Sequence, residues 1–527
     1  MASRVALSAL TRQLTSQAFE RGKMAIELAS AQAPPTFGKS GALSDLLAGH
    51  QLFVASNRGP VHYRMHDGQV ETIPATGGLV TALSGLTDQL PVTWISTATG
   101  PADRLMGSRP SYISAKPGAP RIRFVHASDE ALQWFYQRFA NPILWFLQHN
   151  LWDRLSSPEL PGTIERGWSL GYQPVNGAHA RTIAREIGWS RRPVVLIHDY
   201  HLYLVPALLR RLVPHALVHH FTHIPWPAPG HWQPLPPVMR RQLCEGLLGS
   251  DVAGFQTEES AGNFLSCCER FVPGARVDFD RSIITFRGHR TLVQDYPISV
   301  DANGIRNLAR DPRTGRYREQ LKPRRGEKLI VRVDRLDPSK NIVSGFRSFG
   351  QLLERRPDLS GRVRFLAFLV PSREAIPEYQ RYADEVWREV DRVNERFGRE
   401  DWKPVEVFHQ ENRLQAIAGM SVADVLLVNP LADGMNLVAK EGPLVNSRDA
   451  VLVLSQSCGA HVQLGRAALS VPPRDEDATA VALERALEMP PLERRFRQAA
   501  LREAIEAEDL EWWASRQIED LLEFKAA

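Results

Sequence analysis

Cysteine is scarce in this sequence, with four residues in a chain of 527. Cys267 and Cys268 are adjacent, whereas Cys244 and Cys458 lie far apart, so neither a disulfide framework nor a zinc site built on paired cysteines is expected. No run of about 18 apolar residues occurs, which argues against a membrane span. The N-terminus lacks the apolar core and cleavage site of a signal peptide. These absences predict a protein of the reducing cytoplasm.

An excess of one charge is almost lacking as well. Lys and Arg number 64 and Asp and Glu number 59, which leaves a net charge of +5. Such a weak bias fits an anionic small molecule as well as nucleic acid, so it identifies no partner. The chain is 43% hydrophobic and 23% charged, as is typical of globular proteins, and its length allows about three domains or two large ones.

Short, continuous apolar runs alternate with amphipathic segments from Gln51 onward. Seven of these runs end in polar or turn-forming residues; they occupy 52–55, 194–197, 218–221, 329–333, 364–370, 425–428 and 451–454. Continuous apolar strands between helices predict parallel sheets that are covered on both faces. Because the pattern recurs before and after about residue 305, it predicts an α/β protein with two domains facing one cleft.

The same pattern divides the chain into four segments. We predict an N-terminal extension at 1–49, a first α/β domain at 50–304, a second at 305–490 and a helical segment at 491–527. The boundary between the domains is placed beside the polar stretch 310–316, which looks rich in turns. Trp513 and Leu521 mark an apolar face on the last segment, which should pack on one of the domains.

Two cations follow the run that ends at Val333. Arg335 comes at the end of the predicted strand, and Lys340 follows at the start of a probable helix. A guanidinium binds phosphate oxygens through paired hydrogen bonds, and an ammonium adds a compact charge. The pair is therefore a candidate clamp for a diphosphate, although a surface network of ion pairs would give the same pattern.

A second candidate segment is 433–441. Asp433 and Gly434 precede a predicted helix whose first amides would be free to donate hydrogen bonds. Glu441 would lie about two turns further along the same face, where a carboxylate can accept from sugar hydroxyls. The alternative is an Asp helix cap followed by a solvated Glu.

Polar clusters also follow two neighbouring runs in the first half of the chain. Asp199 lies in His-Asp-Tyr-His-Leu at 198–202, and His223 opens His-Ile-Pro-Trp-Pro at 223–227. They could line one pocket, although a lone His in such a place more often has a structural role. Gly78, in a Gly-Gly pair, allows close approach of a ligand to the backbone.

In combination, these segments resemble one known family. The matching stretches are SNRGP at 56–60, TGGL at 76–79, YQRFANPILW at 136–145, HDYHL at 198–202, HIPWP at 223–227, GFQTE at 254–258, VDRLDPSK at 333–340, PSR at 371–373 and DGMNLVAKE at 433–441. Over about residues 52–514, the chain resembles the retaining glycosyltransferases of the trehalose-6-phosphate synthase family, family 20.

The resemblance implies a GT-B fold, with two Rossmann-like domains around a central cleft, and a role for each matching residue. The implied catalytic residues are Asp199, His223, Arg335, Lys340 and Asp433. The implied donor-binding residues are Gly78, Arg335, Lys340, Asp433, Gly434, Met435, Asn436, Leu437, Val438 and Glu441. The implied acceptor-binding residues are Arg58, Tyr136, Trp145, Asp199 and Arg373. No metal or cofactor is implied, since the nucleotide sugar is a co-substrate.

The activity implied is transfer of glucose from a nucleotide-glucose, UDP-glucose first, to glucose 6-phosphate, which gives α,α-trehalose 6-phosphate. Departures from the family pattern near Thr97, Ser299, Asn341 and Gly442 leave another phosphorylated acceptor open, as in glucosylglycerol-phosphate synthases or pseudoglycosyltransferases that couple cyclitols. A catalytically silent sugar-phosphate sensor is a further alternative. The resemblance also implies a homo-oligomer, and we expect no fused phosphatase domain, no nucleic-acid partner and no membrane partner.

Overall fold

The computed structural model describes residues 43–74, 91–107, 120–155 and 160–526. The strands are β1 Gln51–Ser56, β2 Val61–His66, β3 Gln69–Pro74, β4 Val92–Thr97, β5 Arg121–Val125, β6 Pro193–His198, β7 Leu217–Phe221, β8 Val252–Phe255, β9 Arg276–Asp278, β10 Ile283–Phe286, β11 His289–Asp295, β12 Lys328–Arg335, β13 Val363–Val370, β14 Val405–His409, β15 Val425–Val428, β16 Val451–Ser455 and β17 Leu469–Val471.

The α-helices of the described residues are α1 Leu43–Leu46, α2 Pro101–Gly107, α3 Asp129–Leu132, α4 Phe146–Gln148, α5 Leu160–Arg166, α6 Gln173–Ile187, α7 Val205–Leu212, α8 Pro237–Leu247, α9 Glu258–Phe271, α10 Ala302–Arg310, α11 Pro312–Leu321, α12 Ile342–Arg355, α13 Pro377–Phe397, α14 Arg413–Val422, α15 Val438–Val445, α16 His461–Leu464, α17 Glu476–Glu488, α18 Pro491–Ala507 and α19 Leu510–Ala526. The π-helical segments Gln133–Trp145 and Gly167–Tyr172 precede α4 and α6. Short 3₁₀ turns occur at Trp152–Arg154, Tyr200–Leu202, Pro229–Trp232, Pro338–Lys340 and Pro357–Leu359.

Two sheets organise the chain. The first has the strand order β5-β4-β1-β6-β7-β8-β11-β10-β9, and it is parallel from β5 to β11. The second has the order β14-β13-β12-β15-β16-β17 and is parallel throughout. The prediction of two α/β units with parallel sheets is confirmed. The antiparallel pairs β11–β10, β10–β9 and β2–β3 were not predicted.

The strands are central because their side chains are apolar on both faces. All six residues of β6 are buried, as are all five of β16, so helices must cover both sides of each sheet. Such burial fixes where each strand ends, because the chain turns polar as soon as it leaves the covered sheet. The carboxyl ends of β1, β6, β7, β12, β13 and β15 each lead directly into a predicted site segment.

The C-terminal helices connect the two sheets. In α18, the amide of Gln498 donates to the carbonyl of Pro443 on α15, beside the second sheet, at 2.8 Å. In α19, Trp513 packs edge-on against Phe221 of the first sheet, and its indole N–H donates to the carbonyl of Tyr296 at 3.2 Å. The predicted apolar face of this segment is therefore confirmed as its packing surface.

One predicted linker is wrong. The stretch 310–316, expected to be rich in turns, instead ends α10 and begins α11. The turn is limited to Asp311, whose carboxylate accepts from the backbone N–H of Arg313 at 2.7 Å and so caps α11. Pro312 follows at a first-turn position, where its missing N–H costs no hydrogen bond. The boundary at 304 and 305 falls within α10 and stays a prediction.

The predicted N-terminal extension lies mostly outside the described residues. From Leu43 onward the chain belongs to the folded core, since Leu43 and Leu47 are buried with Leu52 of β1 and Trp513 of α19. In the described ranges, no helix combines the length and apolar character needed to cross a membrane.

Candidate active site

The predicted site residues converge at the carboxyl ends of strands from both sheets. Arg58 follows β1, Asp199 follows β6 and His223 follows β7. Arg335 ends β12, while Arg373 follows β13. In open parallel sheets this edge is where ligands bind. Gly78, predicted beside the donor phosphates, lies outside the described residues.

Lys340 lies against Asp433, as the predicted clamp requires. Its ammonium forms a hydrogen-bonded ion pair with the Asp433 carboxylate, and both side chains are largely buried. Burial acts to lower the pKa of Lys340, but the carboxylates of Asp433 and Asp334 outweigh it, so its pKa is raised and the ammonium stays charged. Asn436 donates to the same Asp433 oxygen at 3.1 Å. Arg335 lies close enough to Lys340 to oppose this rise, so the two cations share one site.

A row of free backbone amides faces the same site. Within the described part of the chain, the N–H groups of residues 434–438 make no hydrogen bond. Asn436 adopts the left-handed conformation, with a φ of 69°, and this bends the segment. Successive free N–H groups at the start of a helix form an anion-binding surface. The segment can therefore bind an anion, and donor binding by Gly434, Met435, Asn436, Leu437 and Val438 stays a prediction.

The helical spacing predicted for this segment is wrong. The helix α15 begins only at Val438, so Glu441 lies in its first turn and not two turns beyond Asp433. The Glu441 carboxylate accepts from Arg413 at 3.3 Å, and its contact with a donor stays a prediction. Burial raises the pKa of Glu441, and Arg413 partly offsets that rise.

Four of the predicted acceptor residues also lie together. The guanidinium of Arg58 donates to the phenol oxygen of Tyr136 at 2.9 Å. The guanidinium of Arg373 lies 4.0 Å from the ring centre of Trp145. Burial would raise the pKa of Tyr136, but the charges of Arg373 and Arg58 outweigh it, so its pKa is lowered. The Tyr136 phenol therefore lies near two guanidinium groups, and two such groups together suit a phosphate.

Tyr136 and Trp145 both lie on the π-helical segment Gln133–Trp145. It contains Pro142, which has no N–H to donate in a regular α-helical ladder. Asn141 is buried there, and its amide donates to the carbonyl of Tyr136 at 2.9 Å. The amide of Asn141 also accepts from the Tyr200 hydroxyl at 2.6 Å.

Asp337 connects the two groups of cations and was not predicted. Its carboxylate accepts from the indole of Trp145 at 3.2 Å and from Arg373 at 3.3 Å. The hydroxyl of Tyr379 donates to it at 3.0 Å. Burial acts to raise the pKa of Asp337, but Arg373 and Arg335 hold it at about 2, so the carboxylate is ionised.

Asp199 and His223 meet at the ends of β6 and β7. The Asp199 carboxylate accepts from the backbone N–H of His223 at 3.2 Å, and Asp199 itself has a φ of 77°. Burial raises the pKa of Asp199 to about 6. Burial and the neighbouring His198 keep the pKa of His223 well below its usual value, so its imidazole is neutral.

One departure from the family pattern has a direct structural reading. Asn341 occupies a left-handed position, with a φ of 56°, just after the clamp lysine. Gly adopts this conformation most readily, and Asn tolerates it better than most other residues do. The Asn341 amide also donates to the carbonyl of Pro473 at 2.7 Å, so the substitution preserves the local backbone path.

The residues missed by sequence reasoning fall into two kinds. Asp337 and Tyr200 lie inside quoted motifs, at 333–340 and 198–202, and could have been singled out there. Tyr379 lies six residues after Arg373, in the first turn of α13, and its hydroxyl contacts the Arg373 guanidinium, but it belongs to none of the quoted motifs. In the described ranges, no group of three or more His, Cys, Asp or Glu is placed to hold a metal ion.

Two α/β units with cationic and amide-rich strand ends facing one cleft define the class of a GT-B glycosyltransferase. Comparison with known proteins gives the family, because the sequence model of glycosyltransferase family 20 matches residues 50–523. The chain belongs to this family and is a glycosyltransferase.

Three relatives illustrate the range of the similarity. The chain is 32% identical over 493 residues to a bifunctional trehalose-6-phosphate synthase/phosphatase of Thermoproteus tenax, covering 90% of this chain and 64% of that protein. It is 30% identical to the validamine 7-phosphate valienyltransferase of Streptomyces hygroscopicus subsp. jinggangensis, covering 91% of this chain and 96% of that one. A Burkholderia xenovorans α,α-trehalose-phosphate synthase (UDP-forming) in complex with glucose-6-phosphate superposes with a TM-score of 0.76 at 29% identity, covering 90% of this chain and all of that one.

The close contact between the segment at Gly434 and the loop at His223 can be tested by substitution of Gly434. A Cβ at this position would lie 1.9 Å from the carbonyl oxygen of His223, so Gly434→Ala must push the two loops apart. We expect a loss of about 1–3 kcal/mol in the free energy of unfolding. Gly262→Ala on α9 is the control, because its Cβ meets no described atom within 4 Å, and it should be neutral or stabilising. Equal unfolding midpoints for the two variants in denaturant titrations would contradict the predicted contact.

The buried carboxyl of Asp199 predicts a pH-dependent cost. The ordinary pKa of this group is 3.8, and burial raises it to about 6 in the folded protein. Between these two pH values the folded state keeps a proton that the unfolded state has released. Stability is therefore lost as the pH rises through this window, by about 3 kcal/mol in all.

The variant Asp199→Asn removes this titration while keeping the shape of the side chain. Relative to the unmodified protein, its free energy of unfolding should be higher by up to about 3 kcal/mol at about pH 8, and the difference should be smaller near pH 4. Asp280→Asn, at an exposed position, is the control and should show no such pH dependence. The same Asp199→Asn difference at both pH values would show that burial does not raise this pKa.

Proposed function

We propose that this protein transfers glucose from UDP-glucose, with retention of configuration, to glucose 6-phosphate, and so makes α,α-trehalose 6-phosphate. One observation carries the proposal: two groups of hydrogen-bond donors with positive charge lie side by side where strands of both sheets end, and each group suits a phosphate. Arg335, Lys340 and the free amides of 434–438 form one of them. Arg58 and Arg373, on either side of Tyr136, form the other.

The donor diphosphate would occupy the first group. Its leaving oxygen gains negative charge as the bond to the anomeric carbon breaks, and Arg335 and Lys340 would stabilise that charge. Asp433 would contact the transferred sugar with the amides of residues 434–437, and Glu441 would accept from the ribose hydroxyls. Gly78 would lie by the donor phosphates.

The acceptor phosphate would occupy the second group. That placement holds the acceptor hydroxyl on the face of the anomeric carbon from which the diphosphate leaves. The new carbon–oxygen bond then forms as the old one breaks, and the hydroxyl proton passes to the departing phosphate oxygen. Such a step depends on positioning and needs no protein nucleophile. Asp199 and the neutral His223 would contact the reacting sugar.

The validamine 7-phosphate valienyltransferase relative supports a second candidate, transfer to a phosphorylated cyclitol. The phosphate-binding group would serve this acceptor equally well. Either reaction would proceed without a metal or cofactor, with small-molecule substrates only. We further propose a homo-oligomer and a cytoplasmic location, the latter supported by four buried cysteines that are all free thiols.

The acceptor can be identified by following nucleotide release. UDP-glucose should release UDP with glucose 6-phosphate, and more slowly or not at all with glycerol 3-phosphate or an aminocyclitol phosphate. Release with another acceptor but not with glucose 6-phosphate would replace the first proposal by the second. No release with any acceptor, using UDP-, GDP- or ADP-glucose, would favour a silent sugar-phosphate sensor.

The role of Arg335 can be tested on the same reaction. Arg335→Ala should lower turnover about 10²–10³-fold, because the lost interaction strengthens as charge develops on the leaving oxygen. Arg381→Ala, which removes an exposed arginine paired with Glu378 on α13, is the matched control and should keep full turnover. Unchanged turnover in Arg335→Ala would refute the diphosphate clamp.

A further inference from the structure

A second cationic cavity lies apart from the cleft, among α10, α11, α15 and α18. Its volume is about 500 Å³, within the range of about 300–1,000 Å³ that is usual for small-molecule pockets. Four arginines and one carboxylate line it: Arg306, Arg310, Arg318, Arg502 and Asp311. None of them is among the predicted substrate-binding residues.

Two of these arginines are fixed in place by neutral groups. Arg318 donates to the Ser421 hydroxyl at 3.1 Å and to the Ala309 carbonyl at 2.7 Å. Arg502 donates to the Pro443 carbonyl at 2.9 Å. These bonds orient the guanidinium groups but leave their charges unneutralised, so an anion in the cavity would meet preorganised donors.

The other two arginines add charge at the rim. Arg310 is exposed, and its side chain forms no hydrogen bond or ion pair with any residue that the structure describes. Arg306 is paired with Glu506, which is itself partly exposed. The single lining carboxylate, Asp311, is already bound by Arg313 at 2.8 Å. The cavity therefore has a clear excess of positive charge.

We propose that this cavity binds the phosphate group of a phosphorylated small molecule. Guanidinium groups match the geometry of phosphate oxygens, and four of them gathered at one cavity favour a compact anion over an extended nucleic acid. Leu444 and Val445 also line the cavity and offer contact to the carbon skeleton of such a ligand.

The cavity lies at the opposite end of a predicted donor-binding element. Besides Pro443, Arg502 donates to the carbonyl of Asn446 at 2.6 Å, so it caps the C-terminal end of α15. The N-terminal end of the same helix carries Glu441 and the free amides. Eight residues make a helix about 12 Å long, so a ligand in the cavity would contact the far end of the element that borders the donor site.

Binding of inorganic phosphate at constant ionic strength tests the proposal. The variant Arg306→Gln with Arg310→Gln should bind one phosphate fewer per chain in equilibrium dialysis, or bind it at least about tenfold more weakly. Arg191→Gln with Arg325→Gln removes the same charge from exposed positions that do not line the cavity and should bind like the unmodified chain. Arg310→Gln alone, at a side chain without a partner in the described ranges, serves if the double variant does not fold.

The location of the bound anion can be read directly. Crystals soaked in tungstate, a heavy analogue of phosphate, should show it beside Arg310, Arg318 and Arg502, in addition to any tungstate in the cleft. Equal phosphate binding by all the variants, an equal loss in the cavity variant and its control, or tungstate confined to the cleft would each overturn the proposal.

Discussion

The carboxylate of Asp337 is the contact on which the geometry of the cleft depends. Asp337 lies in the loop that follows β12 of the second sheet. It accepts from Trp145 on the first-sheet side and from Arg373, which follows β13. A buried guanidinium without an anion would be strongly unfavourable, so Arg373 needs this partner when no substrate is present. Because the pKa of Asp337 is held at about 2, the contact persists across the physiological pH range. The acceptor-side aromatic and the donor-side strand ends are thereby held at one distance.

On the donor side, too, a buried cation is paired with a carboxylate, but only one of the two cations has such a partner. Lys340 is paired with Asp433, the residue proposed to contact the transferred sugar. Arg335 has no such partner among the described residues and lies 5.1 Å from the ring centre of Trp145 instead. An incoming diphosphate would therefore meet one cation that is free and one that must exchange a carboxylate for phosphate. That exchange would release Asp433 toward the sugar, so binding of the diphosphate and orientation of the sugar are coupled.

The sequence predicts the parts of this site that depend on strand ends. Continuous apolar runs fixed β1, β6, β7, β12, β13, β15 and β16 to within a few residues, because burial on both faces leaves little freedom in where a strand stops. The sequence-based prediction failed where a single residue changes the direction of the backbone. The left-handed Asn436 delays α15, and the cap at Asp311 converts an apparent linker into a helix start. Tyr379 was missed because it lies outside the quoted motifs, although it is in the first turn of the helix that follows Arg373.

The arrangement of the acceptor side also explains how one fold can serve different acceptors. The role proposed for Arg58 and Arg373 is to bind a phosphate, a group that is common to hexose and cyclitol phosphates. Their contribution to binding is the same for either ligand, so it provides affinity without choosing between carbon skeletons. Selection would then come from the groups proposed to lie near the reacting hydroxyl, such as Asp199 and His223. A burial cost at Asp199 is consistent with that role, because a carboxyl kept out of water gains more from a hydroxyl that donates to it than a solvated one does. Acceptor specificity would therefore be determined at the ends of β6 and β7, while the phosphate clamp is retained.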